Sequence, residues 1–314
     1  MGKDVVLVTG GAGFIGSHLV DRLLKEGLSV KVVDDLSTGL RSNLTHVEDQ
    51  IEFVEGDICD VELCFRMTEG VKWVFHQAAL GSVPRSVEDP ASTHAINVTG
   101  TLNLLMAARD NQVERFVFAA SSAAYGDVPV LPKVETQRPQ PLSPYAVSKL
   151  ACEYYLSAFH AVYGLPTVSL RYFNIFGPRQ RPDGPYAAVI PLFVDSLRRG
   201  KAATIFGDGE QTRDFTFVSN AVDANLLAAR AGSSAFGKVF NIATGSRVSV
   251  NQLYGEIAQF VGSDVQPHYA PPRAGDVRDS LADIDQAKSV LGYAPTTDLR
   301  TGLKETVAYF MKHQ

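Results

Sequence analysis

Tyr145 and Lys149 lie one helical turn apart in the run Ser143-Pro144-Tyr145-Ala146-Val147-Ser148-Lys149, and they are the residues best suited to move a proton. An ammonium near a phenol favours the phenolate, which draws a tyrosine down from about 10 towards the working pH and makes it a usable base. Such a pair also occurs on ordinary helix surfaces. Its chemical meaning grows with Ser121 and Ser122, which end an apolar run at 115–120. A hydroxyl at that strand end can share a hydrogen bond with a reacting oxygen and with Tyr145, and either serine suits the role.

A base and a hydroxyl need a scaffold and an electron acceptor, and the first thirty-odd residues offer both. Val5-Val6-Leu7-Val8-Thr9 reads as a buried strand, followed at once by Gly10, Gly11, Gly13 and Gly16 and an apolar-periodic helix from Phe14. A strand that turns this tightly leaves first-turn N–H groups pointing at one spot, which suits a pyrophosphate. Gly10 makes the turn, Gly13 permits close approach, and Gly16 lets helix and strand pack tightly. The second strand, 29–33, ends in Asp34, placed to hydrogen-bond both hydroxyls of an adenosine ribose and to repel a 2′-phosphate. The expectation is NAD rather than NADP, with Asp35 pointing the same way. A third strand, 51–54, ends in Gly56-Asp57-Ile58, where Asp57 can accept from the adenine amino group while Ile58 packs beside the ring.

Strands at 73–76, 115–120 and 167–171 alternate with helices at 60–69, 90–109 and from Pro144 to about 163. Ser143-Pro144 supplies an N-cap and a first-turn proline for the last of these. This alternation predicts an α/β fold with a Rossmann-type doubly wound parallel sheet. The loop after the fourth strand, Gln77-Ala78-Ala79, has small residues where backbone must pass near a cofactor. Asn97, polar on a helix face turned to the core, is expected chiefly to tie down neighbouring loops. Beyond Asn174 the composition changes: 177–184 is rich in arginine and proline, and elements at 189–199, 204–206, 219–230, 250–260 and 302–311 are more loosely spaced. A strand at 239–242 should return to the main sheet. The expected division is 1–174 plus 215–242 for the cofactor and 175–214 plus 243–314 for a smaller, discontinuous α/β substrate domain, with the cleft between them.

The whole composition narrows the functional classes. At 314 residues the chain can bury a full core, and a net charge of −5 gives no broad attraction for nucleic acid or acidic lipid. Cys59, Cys64 and Cys152 lack metal-ligand spacing, no metal is expected, and with no secretory leader they read as reduced thiols of a cytoplasmic protein. No apolar run reaches the length of a membrane span.

Six stretches carry a resemblance over essentially the full length: TGGAGFIG at 9–16, AASSAAYG at 119–126, YAVSK at 145–149, RYFNIFGPRQ at 171–180, GDGEQTRDF at 207–215 and GDVRDSLADI at 275–284. With them the chain resembles the extended short-chain dehydrogenase/reductases of the nucleotide-sugar group. Within that group it is most similar to UDP-hexose 4-epimerases, especially those that turn over UDP-N-acetylglucosamine and UDP-N-acetylgalactosamine. The resemblance implies that Tyr145 removes the proton from the sugar 4-OH while hydride passes from C4 to tightly held NAD⁺. The 4-keto sugar then swings about its pyrophosphate link and takes the hydride back on its other face.

Ser121 matches the family's catalytic serine, with Ser122 its competitor, and Lys149 matches the lysine, which can also hold the nicotinamide ribose. The cofactor set adds Phe14, Ile15, Gln77, Ala78, Ala79, Asn97 and Tyr172. On the substrate side Asn174 matches the residue at the pyrophosphate, Arg213 and Arg273 the arginines that clamp it, Ile205 and Phe206 the strip beside uracil, and Asp276 a residue near its ribose; Ser82 and Ala188 complete the lining. Ser280 stands where galactose-type enzymes can carry a bulky tyrosine, and Gly81 where some carry lysine. Both leave room for a 2-acetamido group without excluding the unsubstituted sugar. The family implies a homodimer through helices matching 90–109 and 145–163.

Other readings differ by single features. A 4,6-dehydratase needs Asp-Glu after the strand-end threonine, where this chain has Ser122-Ala123. A UDP-uronate 4-epimerase or decarboxylase would seat a carboxylate on an arginine such as Arg85 or Arg181. A dehydrogenase would exchange its NAD, and a regulator that binds NAD or a nucleotide sugar would not turn over.

Overall fold

The computed structural model describes residues 3–182, 188–272 and 278–313. Its first strand, β1 (Val5–Thr9), shows why the chain folds in layers. Val6 and Val8 enter one hydrophobic cluster and Leu7 the other, so both faces of the strand are buried. α1 (Phe14–Lys25), β2 (Ser29–Asp34), β3 (Ile51–Glu55), α2 (Val61–Thr68) and β4 (Trp73–His76) follow. The stretch expected as one helix at 90–109 is more elaborate. α3 (Val83–Glu88) precedes α4 (Pro90–His94), a π-helical turn at Ala95–Thr99, and α5 (Gly100–Asp110). β5 (Arg115–Ser121), α6 (Pro144–Tyr163) and β6 (Thr167–Tyr172) complete the first half.

The chain then leaves the sheet through β7 (Ile175–Phe176), α7 (Val189–Arg198), β8 (Thr204–Phe206) and β9 (Thr212–Arg213). It returns by β10 (Thr216–Phe217), α8 (Val218–Arg230) and β11 (Lys238–Ile242), and leaves again for β12 (Val248–Ser249), α9 (Val250–Val261), β13 (His268–Ala270) and α10 (Leu299–Lys312). The main sheet has the order β11-β6-β5-β4-β1-β2-β3, with every neighbouring pair parallel. This is a doubly wound Rossmann-type sheet with a seventh strand at one edge. α1 and α8 cover one face, through Leu19, Leu23 and Leu226, and α2, α5 and α6 the other, through Met67, Leu104 and Leu156. The first cluster continues into a smaller α/β unit, where Phe193, Leu253 and Phe310 are buried. The antiparallel β12–β9 pair and the parallel β13–β8 pair belong to that unit.

α6 forms where the sequence signals it. The Ser143 hydroxyl accepts from the Ala146 N–H at 3.2 Å, Pro144 opens the first turn, and Gly164 closes the helix in the left-handed region. No helix of the described residues is long and apolar enough to cross a membrane.

Candidate functional site

A cleft of about 850 Å³ opens at the C-terminal ends of the sheet strands, where the strand order reverses between β1 and β4. Its floor is the turn from β1 into α1. Gly10 holds a φ of +67°, and a Cβ there would meet the Ala78 backbone N at 2.7 Å. A Cβ on Gly16 would stand 2.1 Å from the Gly10 carbonyl oxygen, so only glycine lets the helix start this close to the strand. No side chain caps the start of α1, and its first turn carries no acid, leaving its N–H groups directed at the cleft. Gly13, Phe14 and Ile15 line it there.

At one end the buried Asp34 carboxylate accepts from the Ala12 N–H at 2.9 Å and from the Leu36 N–H at 2.9 Å. Burial pushes this carboxyl above its usual range, and the backbone donors oppose that rise. Asp35, beside it, accepts from the Ser37 N–H and hydroxyl. Asp57 and Ile58 line the same end, with Asp57 oriented by the Cys59 N–H at 2.8 Å.

At the other end Ser121, Tyr145 and Lys149 all line the cleft. Burial raises the Tyr145 phenol, and its hydrogen bond with Ser121 opposes the rise. The lowering expected from the sequence is therefore not what the protein's own groups produce. Lys149 is buried, which draws its ammonium down to about 8. Its Nζ donates to the Ala119 carbonyl at 2.8 Å and stands 4.8 Å from the centre of the Phe118 ring. The two serines separate. Ser121 ends β5 facing the cleft and accepts from the Ala123 N–H at 3.2 Å, whereas Ser122 starts the following 3₁₀ turn and is not among the cleft lining. One step beyond the strand end turns the side chain away.

Asn97 also sits behind the cleft rather than on it. Its Oδ1 accepts from the Leu80 N–H at 2.8 Å, and its Nδ2 donates to the Leu80 carbonyl at 3.3 Å and to Ser148 Oγ at 3.0 Å. With both ends of its amide occupied, it holds the loop that carries Ala78, Ala79, Gly81 and Ser82 into the lining. Gln77 and Tyr172 line the cleft together. Gln77 Nε2 and Asn225 Nδ2 both donate to the Tyr172 hydroxyl, at 3.4 and 2.7 Å. Burial pushes that phenol up to about 12.

The expected substrate side divides. Asn174 and Ala188 line the cleft, and Asn174 Nδ2 donates to the Asp214 carbonyl at 2.9 Å. Arg213 does not line it. Its Nη1 donates to the Thr212 and Arg278 carbonyls, each at 2.9 Å, because β9 pairs there with the segment leading to Ser280. Ser280 is half-buried outside the lining, its N–H donating to the Thr212 carbonyl at 3.0 Å. Ile205 packs inward: alternation along β8 turns its side chain into the core at 1% exposure. Phe206 faces the opposite way, half-buried. Arg273 and Asp276 lie outside the described residues.

Comparison with known proteins agrees with this geometry. Residues 6–243 match the model of the NAD dependent epimerase/dehydratase family. The chain belongs to this family. It is similar to the solved UDP-glucose 4-epimerase of Thermotoga maritima with UDP-glucose, at 44% identity and a TM-score of 0.94, covering 98% of this chain and 99% of that one. It is also similar to the UDP-N-acetylglucosamine 4-epimerase of Methanobrevibacter ruminantium in complex with UDP-N-acetylmuramic acid, at 39% identity and a TM-score of 0.95, with both chains covered completely. The Thermus thermophilus UDP-glucose 4-epimerase in complex with NAD gives 38% identity and a TM-score of 0.89, covering 99% of this chain and 100% of the other.

An NAD dependent epimerase/dehydratase must hold a dinucleotide, and this cleft fits one. It joins a glycine cradle that no Cβ could share, an uncapped helix start and a buried carboxylate to a tyrosine and a lysine at the far end. Among the described residues no group of three or more His, Cys, Asp or Glu could hold a metal ion. The lining also includes residues that the sequence reading did not assign to cofactor or sugar, among them Thr38, Ile96, Ile175 and Gln180. The arginine- and proline-rich composition at 177–184 was the available signal for the last.

Proposed function

We propose that the chain is a UDP-hexose 4-epimerase that inverts C4 reversibly and keeps its NAD through turnover. The carrying observation is that Ser121, Tyr145 and Lys149 line one end of a cleft whose other end is lined by Asp34. When bound, NAD supplies the hydride acceptor and donor. Tyr145 takes the proton of the sugar 4-OH, while the Ser121 hydroxyl shares a hydrogen bond with the reacting oxygen and steadies the phenolate. Lys149 supplies the positive field and orients the ribose of the cofactor. Returning the proton from the same phenol completes the exchange without a further acid or base.

In this reading 1–174 with 215–242 holds the cofactor, and 175–214 with 243–314 holds the UDP-sugar. Asn174, Arg213 and Arg273 hold the diphosphate, with Phe206 beside the uracil, Asp276 near its ribose, and Ala188 and Ser82 around the sugar. Gly81 and Ser280 favour N-acetylated sugars, UDP-N-acetylglucosamine and UDP-N-acetylgalactosamine, with UDP-glucose and UDP-galactose also accepted. A Cβ on Gly81 would meet nothing within 4 Å, which supports an open sugar pocket. Val147, Tyr154, Val162 and Tyr163 are exposed on α6, which supports a homodimer through that helix. We place the protein in the cytoplasm.

A second reading has its own observation. Arg85 and Arg181 line the cleft and would suit a carboxylate-bearing sugar, as in a UDP-uronate 4-epimerase or decarboxylase. Purified protein incubated without added NAD with UDP-N-acetylglucosamine, UDP-glucose and UDP-glucuronate, with the products resolved, decides between them. Interconversion of the first two substrates with their C4 epimers is expected. Turnover of the uronate alone would favour the second reading, and NAD binding without any turnover would favour a regulatory protein.

A further inference from the structure

His76 ends β4, is fully buried, and takes no part in lining the cleft. Its ring packs on Phe116 and Phe118, with centroids 5.8 and 5.5 Å away. Burial, with a smaller push from the Lys149 charge, lowers the imidazole to about 3 and keeps it neutral. Both ring nitrogens are nonetheless bonded. Nδ1 meets Thr9 Oγ1 at 2.7 Å, and Nε2 meets Thr101 Oγ1 at 2.8 Å.

The direction of every bond follows from donor counting. Thr101 spends its single hydroxyl proton on the Asn97 carbonyl at 2.5 Å, so it must accept from the histidine Nε2–H. Nδ1 is then the acceptor, and Thr9 donates to it while accepting from the Ala78 N–H at 3.3 Å. One neutral tautomer satisfies the whole chain.

Its two ends reach different parts of the site. Thr9 immediately precedes Gly10, and Ala78 lines the cleft. Asn97 lies in the π-helical turn, where its carbonyl also accepts from Cys152 Sγ at 3.1 Å. Its side chain grips Leu80 and donates to Ser148 Oγ, which in turn donates to the Tyr145 carbonyl at 2.8 Å. A buried histidine that only filled the core would not need to join the phosphate turn to the helix of the base.

We propose that His76 is a positioning residue, which through Thr9 on one side and Thr101 and Asn97 on the other fixes the spacing between the cofactor cradle and Tyr145. The inference rests on the reading of Tyr145 as the base. Its two arms can be cut separately, because an asparagine carbonyl reaches about where Nδ1 lies and a glutamine amide about where Nε2 lies. His76→Asn keeps the acceptor for Thr9 and loses Thr101. His76→Gln keeps a donor for Thr101 and loses Thr9.

NAD released from the denatured protein, kcat and KM for UDP-N-acetylglucosamine, and melting temperature are measured for each variant. His76→Asn should hold wild-type NAD while kcat falls about ten- to a hundredfold, with KM changed less than about twofold. His76→Gln should lose NAD and keep kcat per bound cofactor. Thr101→Val should repeat the first pattern and Thr101→Ser should restore it, which carries the test should a histidine variant fail to fold. Wild-type NAD content and kcat in both histidine variants would overturn the proposal, as would losses in one common proportion. If the wild type turned over no UDP-sugar, the functional reading would fall, and the contrast in NAD content between the two variants would still decide this one.

Discussion

The Lys149 ammonium donates to the carbonyl of Ala119 at 2.8 Å, so its charge is held under the end of the strand that carries Ser121. Burial draws that ammonium down to about 8. A lysine lowered in this way binds fewer protons folded than unfolded between about pH 8 and its ordinary value of about 10.4. Raising the pH through that window therefore stabilises the fold slightly while it removes the charge. We expect kcat to fall with an alkaline limb near pH 8 as the melting temperature holds or rises. Lys149→Arg should remove the limb from the residual activity. A loss of activity that tracked a falling melting temperature would point to unfolding instead.

Tyr145→Phe keeps the ring and removes the proton carrier. Turnover should drop about 100- to 10,000-fold, with NAD content and melting temperature retained. Ser121→Ala should also be impaired, by less, while Ser122→Ala stays near wild type, because Ser122 lies outside the cleft lining. Steady-state rates of the three variants check this order.

Asp34 is fixed by the Ala12 and Leu36 N–H groups. Asp34→Asn turns an amide donor against one of them and removes the charge offered to the ribose. NAD binding should weaken by about 1.5–3 kcal/mol, and the preference over NADP should narrow. Titration of NAD-stripped protein with both nucleotides measures the two effects.

Glu153 and Arg171 form a bidentate pair beneath the Lys149 helix turn, with Arg171 Nε and Nη2 at 2.9 and 2.6 Å from the two carboxylate oxygens. Both are buried, and burial raises the Glu153 carboxyl against the pull of the guanidinium. Glu153→Gln leaves a buried cation uncompensated and should destabilise by about 3–5 kcal/mol. Adding Arg171→Met should recover part of that loss. Urea midpoints of the single and double variants check the coupling.

The sequence made some of this plain because the causes are local. Ser143-Pro144 announces α6 with its own hydroxyl and ring, and the glycines around Phe14 announce a turn in which Gly10 and Gly16 have no room for a Cβ. Other features depend on partners far along the chain. The π-helical turn at Ala95–Thr99 interrupts a run that reads as one helix, and its Asn97 carbonyl takes a bond from Cys152 in another element. Whether Ser121 or Ser122 faces the cleft depends on where β5 stops, and a shift of one residue reverses the face. Ile205 shows the same uncertainty of phase in a strand of three residues. The depressed Lys149 ammonium could not be read at all, since it arises from burial that exists only once α6 packs on the sheet.

The seventh strand has a consequence for how the molecule is made. β11 covers the outer edge of β6, a strand buried along its whole length, yet it is translated only after 173–237. Until residue 242 has cleared the ribosome, the nascent cofactor half exposes the unpaired backbone edge of a strand that is buried in the finished protein, open to pairing with other chains. A fragment stopped before Lys238 should therefore aggregate rather than serve as a free-standing dinucleotide module, and synthesis of the intact chain depends on shielding that edge while the intervening segment emerges.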